Sequence, residues 1–436
     1  MMRFIKQFEN TNFFRLWLAQ LISQFGDRIN QMALIGLITE RSPGSAMQLA
    51  KLLSFTIIPV FIIGPVAGVY VDRWDRRTTL FVCDLLRGLL VLSIPLVFLQ
   101  RDSMVPIYIM VFLAFCLSRF YVPAKMSIVP DLVHRDHLLM ANSLLTTTGM
   151  IAFVLGFAIG GFLVDRIGAR GGLICDAVTF FISGILVFSI RQPFKLKNIP
   201  SKILQTGKEV IAIIRKSTIQ EMKEGLRYLI RHKEIRFIIA MLFVLLAAAG
   251  AIYVVIIVFV QQSFQSVTKD LGILAFFLGV GLFLGVLIHG RWGHAIPWYK
   301  VIFLCLMSGG SVLILFATSV HHFPRLGMAM VLATLLGLMT GPVFIAANTV
   351  THQVCDEQMR GKVFSALEIV IHSAFLIAMF ISSYAAEYVE RIWILTGVGT
   401  LLIGIGIFGL LKFRSNFNQN FGGNFGETCI QEEKRA

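Results

Sequence analysis

Six polar residues crowd one apolar stretch near the start of the chain: Gln20, Gln24, Asp27, Arg28, Asn30 and Gln31. Gln20, Gln24, Asp27 and Gln31 are spaced by four, three and four, which sets them on one face of a helix. Such a stripe against lipid is very costly, so it must face protein or a water-filled cavity. Two readings fit it. In one, Asp27 binds a proton or cation in a central cavity; in the other, the stripe is interhelical glue and Asp27 is tied to an arginine. Arg119 stands in a separate apolar run and is the natural intramembrane partner for Asp27 or for an anionic substrate, unless it snorkels to the interface. Glu368 and His372 lie one turn apart on a face shared with Ser365 and Ser373. A Glu–His pair at that spacing can relay protons, because His titrates near neutral pH. Plain exposure near a helix end fits equally well.

The elements that position these residues follow from composition. Of 436 residues, 56% are apolar and 14% charged, against about a quarter charged in a soluble domain. A mean hydropathy of +0.79 agrees. Cys83, Cys116, Cys175, Cys305, Cys355 and Cys429 show no CxxC spacing and read as small apolar filler, so neither a disulfide framework nor a zinc site is implied. The net charge of +15 would suit nucleic acid, but the basic residues lie between apolar runs and read as orientation signals. There is no Walker A loop, HExxH, GxSxG or HxxxxD arrangement, so neither ATP drive within the chain nor an intramembrane enzyme is supported, and no cofactor or metal is expected. His134 and His137 lie in a basic loop, a poor setting for a metal.

A bilayer core takes about 20 apolar helical residues. Twelve runs qualify: 13–38, 47–71, 79–99, 105–125, 138–164, 172–190, 237–260, 270–290, 299–319, 325–350, 362–386 and 391–412. Arg3 and Lys6 precede the first, but no small-residue cleavage site follows, so it reads as a helix and not a signal peptide. The fold class expected is an all-α membrane protein with twelve transmembrane helices in two six-helix bundles, 1–190 and 237–412. The segment 191–236 is a cytoplasmic linker in which Met222, Leu226, Leu229 and Ile230 recur at the spacing of an amphipathic surface helix. The polar tail 413–436 is expected to be disordered. Counted by alternate loops, roughly 28 Lys and Arg fall on the side of the termini and about 8 on the other, with Arg28, Arg87 and Arg119 inside spans. The positive-inside rule then places both termini in the cytoplasm.

Between the second and third spans the chain reads Gly68, then Asp72-Arg73, then Asp75-Arg76-Arg77, followed by Asp84 and Arg87 in a DLLR string. Gly68, one turn before Asp72, admits a neighbouring helix. Asp72 at the membrane edge can cap the positive end of another helix. Arg73, Arg76 and Arg77 can pair with Asp75 and Asp84. This loop resembles the signature GxxxDRxxRR of the major facilitator superfamily, and its tight form DRxDRR is similar to the branch holding macrolide and drug exporters and the enterobactin exporter. Pro123-Ala124, Pro130-Asp131-Leu132, Ala141-Asn142, Gly160-Gly161, Asp176, Glu224 to Tyr228 and Arg360 to Phe364 extend the resemblance over about 10–412.

The resemblance implies a cytoplasmic latch between the two halves, formed by Gly68, Asp72, Arg73, Asp75, Arg76, Arg77, Asp84 and Arg87. A weaker copy in the second half reads Gly285, then His289-Gly290-Arg291, with His289 in place of the acid. Arg119 looks like the arginine of the family's span-four motif RxxQG, although Val122 and Pro123 depart from it. Gly156 to Gly161 is similar to the antiporter motif GPxxGG, with Phe157 at the proline. Asp176 stands at a family-typical position, where a structural role is expected.

The function implied is a secondary active transporter exporting a small amphipathic molecule such as a drug, macrolide or siderophore by alternating access, with protons as the driving ion. Movement of lysophospholipid between leaflets is the rival within transporters; a non-transporting receptor or an intramembrane enzyme is the rival outside them. The partners expected are a small-molecule substrate, protons and membrane lipids, with no nucleic acid, and the chain is expected to be a monomer. The topology is open to a direct check. A reporter fused after residue 200 should read cytoplasmic, and one in the 165–171 loop periplasmic; swapped readings would overturn the orientation.

Overall fold

A computed structural model describes residues 10–71, 74–98, 103–191, 233–292, 297–354 and 360–420. Helices account for nearly all of them: α1 (Thr11–Arg41), α2 (Ala46–Ile62), α3 (Gly64–Val71), α4 (Arg76–Ser93), α5 (Val105–Leu132), α6 (Leu138–Phe188), α7 (Lys233–Phe264), α8 (Lys269–Trp292), α9 (Trp298–His322), α10 (Leu326–Val354), α11 (Arg360–Ala385) and α12 (Arg391–Asn420). They correspond to the twelve expected spans. Span two is α2 and α3 together, broken after Pro59 at Ile63. Spans five and six are the two arms of α6, which turn at Gly168, where φ of +74° suits a residue without a Cβ.

Nine stretches among the described residues are long and apolar enough to cross a membrane, and one of them, Arg135–Phe188, holds both arms of α6. The first helix falls outside that set because its polar face lowers its apolarity. The outer surface is apolar as lipid requires: Leu89, Leu96, Phe162, Ile185, Phe188 and Phe408 are large and exposed. The expected linker helix around Met222–Ile230, the loop residues Asp72 and Arg73 and most of the tail lie outside the described residues.

The chain forms two compact units, Met1–Phe276 with Thr351–Glu390, and Phe277–Val350 with Arg391–Ala436. In the first, α1 packs along α6, α4 against α5 and α6, α2 against α5 and α11, and α11 against α7. In the second, α9 packs on α12, where the backbones meet at Gly310 and Gly399.

Inside lipid, helices gain little from hydrophobic burial and associate by close packing and polar contacts. The first unit uses both. Asn10 caps α1, its Oδ1 accepting from the amides of Asn12 and Phe13 at 3.2 Å, while its Nδ2 donates to Leu132 O at 2.7 Å. The start of α1 is thereby tied to the end of α5. Arg15 donates to Ser189 O, and Asn12 exchanges two hydrogen bonds with the Arg191 backbone, which ties the same end to α6. Beneath these bonds lies an apolar cluster of Phe13, Leu16, Leu80, Tyr121, Ile128 and Val187. Near the other end of the unit, Gly161 of α6 meets Gly272 of α8 backbone to backbone. A Cβ on Gly161 would stand 2.6 Å from Thr268 O and 2.8 Å from Gly272 Cα. The Thr268 hydroxyl donates to Gly161 O at 2.9 Å across this contact.

Candidate functional site

Helix α4 begins with a cap and ends with charge inside the unit. Asp75 Oδ1 accepts from Thr78 N at 2.7 Å, a normal N-cap. Downstream, Cys83, Asp84, Arg87 and Val91 are buried on one face while Leu85, Leu86 and Leu89 are exposed on the other. The polar side of α4 therefore points into protein and its apolar side outward, the reverse of a soluble helix.

Arg87 is the hub. Its side chain is 4% exposed, with Nη2 3.3 Å from Asp27 Oδ1 of α1 and Nη1 3.9 Å from Asp84 Oδ1 of its own helix. Nη2 also lies 3.4 Å from Ser23 Oγ. The guanidinium sits 4.0 Å from the ring centroid of Phe180 and 5.2 Å from that of Tyr121. One side chain thus touches α1, α4, α5 and the second arm of α6. Arg suits this post because its planar group pairs with carboxylates at its edge and stacks on rings with its face.

The carboxylates differ in setting. The Asp27 side chain is 36% exposed and so can meet water, and the charge of Lys125 on α5 acts on it as well. Asp84 is fully buried; its Oδ2 accepts from Ser183 Oγ at 2.6 Å. Asp176 is fully buried on the second arm of α6, beside Thr179 and within reach of Asn30. Gly26 of α1 makes room for it: a Cβ there would stand 2.5 Å from Asp176 Oδ1.

The rest of the polar stripe on α1 divides by position. Gln20 Nε2 donates to Leu145 O at 3.2 Å, and Gln24 lies against Gly149, so both meet the first arm of α6. Gln31 Nε2 donates to the Tyr253 hydroxyl at 2.6 Å and its Oε1 accepts from Arg28 Nη1 at 3.1 Å, which joins α1 to α7. Arg28 lies over the rings of Phe153 and Phe157, at 4.9 and 5.3 Å.

Several expected pairings come out differently. The guanidinium beside Asp27 belongs to Arg87, while the acid whose charge acts on the half-buried Arg119 is Glu368. The ring of His372 meets the backbone carbonyl of Glu368 at 2.8 Å, not its carboxylate; the side chain folds back along its own turn, and the ring lies edge-on to Phe61. In the signature loop, Asp75 is spent on capping α4. Asp84 lies eight and seven residues beyond Arg76 and Arg77, roughly 12 and 10 Å along the helix axis at 1.5 Å per residue, and both arginines are engaged elsewhere. Arg76 pairs instead with Asp131 at the end of α5 and donates to Ser127 O at 2.8 Å. Arg77 donates to Phe188 O and lies over the Phe188 ring. Gly68 is in α3, and Asp72 and Arg73 lie outside the described residues.

Sequence reasoning assigned Asp84 and Arg87 to the loop cluster and gave Asp176 a structural role on its own, so their union with Asp27 was missed. The available signal was an acid and a base at i, i+3 inside the span 79–99, an arrangement that is expensive in a membrane unless the two are partnered.

Charge sealed inside a helical bundle with apolar sides has a use in a protein that moves solutes through a membrane, and comparisons with known proteins agree. The chain belongs to the Major Facilitator Superfamily, whose family model matches residues 16–321. It is 26% identical over 416 residues to the uncharacterized MFS-type transporter YkuC of Bacillus subtilis, covering 93% of this chain and 91% of that protein. It is 24% identical over 412 residues to Macrolide efflux protein A of Streptococcus pyogenes, covering 91% and 94%. In fold it is similar to the crystal structure of a POT family transporter in complex with a thioalcohol-conjugated peptide, with a TM-score of 0.70 at 12% identity, covering 93% of this chain and 96% of that one. The protein is therefore a multi-pass membrane transporter and not an enzyme.

The hub makes a quantitative demand. Removing one partner of a buried ion pair costs about 3–5 kcal/mol, less the share of Asp27, which is part-exposed and screened. Arg87→Ala should lower the midpoint of thermal unfolding of the detergent-purified protein sharply or abolish its accumulation. Arg87→Lys should fall between, because it keeps the charge and loses the stacked fork. An unchanged midpoint for Arg87→Ala would remove the hub role.

Proposed function

We propose that this protein is a proton-driven exporter of a small amphipathic molecule, of the macrolide or drug type, working by alternating access. The observation that carries the reading is Asp27: a carboxylate within a membrane helix, 36% exposed, paired at 3.3 Å with an arginine that is itself buried. An acid so placed can meet water on one side and an immobile cation on the other. Protonation of Asp27 cancels its pull on Arg87, and ionisation restores it, so proton binding and helix packing are linked through one contact.

In this scheme the halves 1–190 and 237–412 rock about a central cavity, joined by the 191–236 segment. The signature loop serves as the latch at the cytoplasmic face. Arg119, Glu368 and His372 are the polar groups offered to substrate, and Phe61 beside His372 supplies an aromatic surface. The likeness to Macrolide efflux protein A over 91% of the chain supports export and an amphipathic substrate. The transporter acts as a monomer in the bacterial inner membrane, with both termini cytoplasmic.

The test is uptake of a radiolabelled macrolide into inverted membrane vesicles with an acid interior. Wild type should accumulate label, and a protonophore should abolish the accumulation. Asp27→Asn should retain exchange of label across the membrane yet lose accumulation by more than tenfold. Gradient-driven accumulation by Asp27→Asn equal to wild type would reject Asp27 as the coupling acid.

A further inference from the structure

The carboxylates around Arg87 outnumber the cations that serve them. Every packed element contributes to this interior: Ser23, Asp27 and Asn30 from α1, Cys83, Asp84 and Arg87 from α4, Tyr121 and Lys125 from α5, and Asp176, Thr179 and Ser183 from α6. Arg28 is turned to Phe153, Phe157 and Gln31. Among the described residues, three acids thus face two bases. Ionised throughout, the cluster would hold one uncompensated negative charge in a medium where an isolated charge is very costly. Asp27 reaches water, so the two fully buried acids, Asp84 and Asp176, are left with one buried base, Arg87, and a proton on one of them removes the excess charge.

Geometry selects which one. Asp27 has Arg87 at 3.3 Å and the charge of Lys125. Asp84 has Arg87 at 3.9 Å and a short hydrogen bond from Ser183. Asp176 is fully buried, and among the described residues no cation lies within 4 Å of it. Its Oδ2 has no hydrogen-bond partner. Thr179 Oγ1 reaches Oδ1 at 3.4 Å but lies closer, at 2.7 Å, to the backbone oxygen of Asp176, which takes its single proton. Asn30 of α1 is the one other side-chain donor in reach, fewer than the two or three that hold a buried carboxylate ionised.

We infer that Asp176 is a proton-binding site of this transporter, protonated in the state seen here and exchanging occupancy with Asp27 as Arg87 changes its carboxylate partner. With Asp176 neutral, Asp27 and Asp84 balance Arg87 and Lys125. When Asp27 takes a proton from the water it faces, an O–H bond forms there and Arg87 is released from it. Arg87 then serves Asp176, whose O–H bond breaks as the proton passes to water on the side to which the bundle has opened. One proton enters, one leaves, and the charge of the interior is unchanged. The coupling step rests on the proton-driven reading above; the protonation of Asp176 does not.

Infrared spectroscopy of the purified full-length protein in lipid at neutral pH reads this directly. Wild type should show the carbonyl band of a protonated carboxylic acid, and carbon-13 labelling of aspartate should shift that band. Asp176→Asn should remove it, Asp176→Glu should restore it at a displaced frequency, and Asp165→Asn, at an exposed acid of α6, should leave it in place. The absence of an aspartic acid band in labelled wild type overturns the inference whatever the variants do, as does an unchanged band in folded Asp176→Asn. If the band behaves as expected but vesicles show no proton-driven uptake, the coupling fails and the protonated site stands. If uptake is proton-driven and the band is missing, the site alone fails.

Discussion

A guanidinium held away from water must be paid for by the groups around it, and in this protein that requirement falls on Arg87. At 4% exposure it can neither reach water nor lose its charge, so the protein around it must supply counter-charge, hydrogen-bond acceptors and ring faces. Asp27, Asp84, Ser23, Tyr121 and Phe180 do so from four helices. The demand is directional as well as electrostatic. It fixes the rotation of α1, because Asp27 must point at α4, and the rotation of α4, because Asp84 and Arg87 must point inward while Leu85, Leu86 and Leu89 meet lipid.

Once those two helices are set, the remaining polar contacts follow with little freedom. Turning Asp27 toward α4 sends Gln20 and Gln24 to the first arm of α6 and Gln31 to Tyr253 on α7. Gly26 allows the second arm of α6 close enough to bring Asp176 into the same interior. Helix association in lipid draws on such contacts and on close packing more than on burial of apolar area. A transporter gains from this, since a contact made of charge can be undone by one proton, whereas a packed apolar contact cannot.

Much of this fold was legible in the sequence. Apolar run length gave the twelve spans, because the bilayer fixes how many residues a crossing needs. The stripe on α1 was readable because helical spacing exposes any polar face that recurs every three or four residues. The partners were harder. Asp27 had Arg87 and Arg119 as possible bases, on two different spans, and sequence spacing carries no information on which helix lies beside α1. Asp84 was read with the loop because it follows the arginine-rich string, yet nine helical residues carry it well inside the unit. His372 satisfied its ring on a backbone oxygen, a local choice that an i, i+4 Glu–His pattern does not disclose. Asp176 had no periodic partner on its own helix that would mark it as part of a cluster.

The central claim is that Arg87 and its carboxylates stand or fall together as a charge-balanced unit, and a rescue experiment on thermal unfolding tests it most directly. Arg87→Gln leaves Asp84 buried without the cation that it pairs with and should lower the unfolding midpoint strongly. Adding Asp84→Asn to that variant removes the stranded charge and should raise the midpoint again, a coupling of about 0.5–3 kcal/mol between the two sites. A double variant that is less stable than Arg87→Gln alone, by the amount that Asp84→Asn costs in the wild-type background, would show that the two residues act independently and would contradict the account.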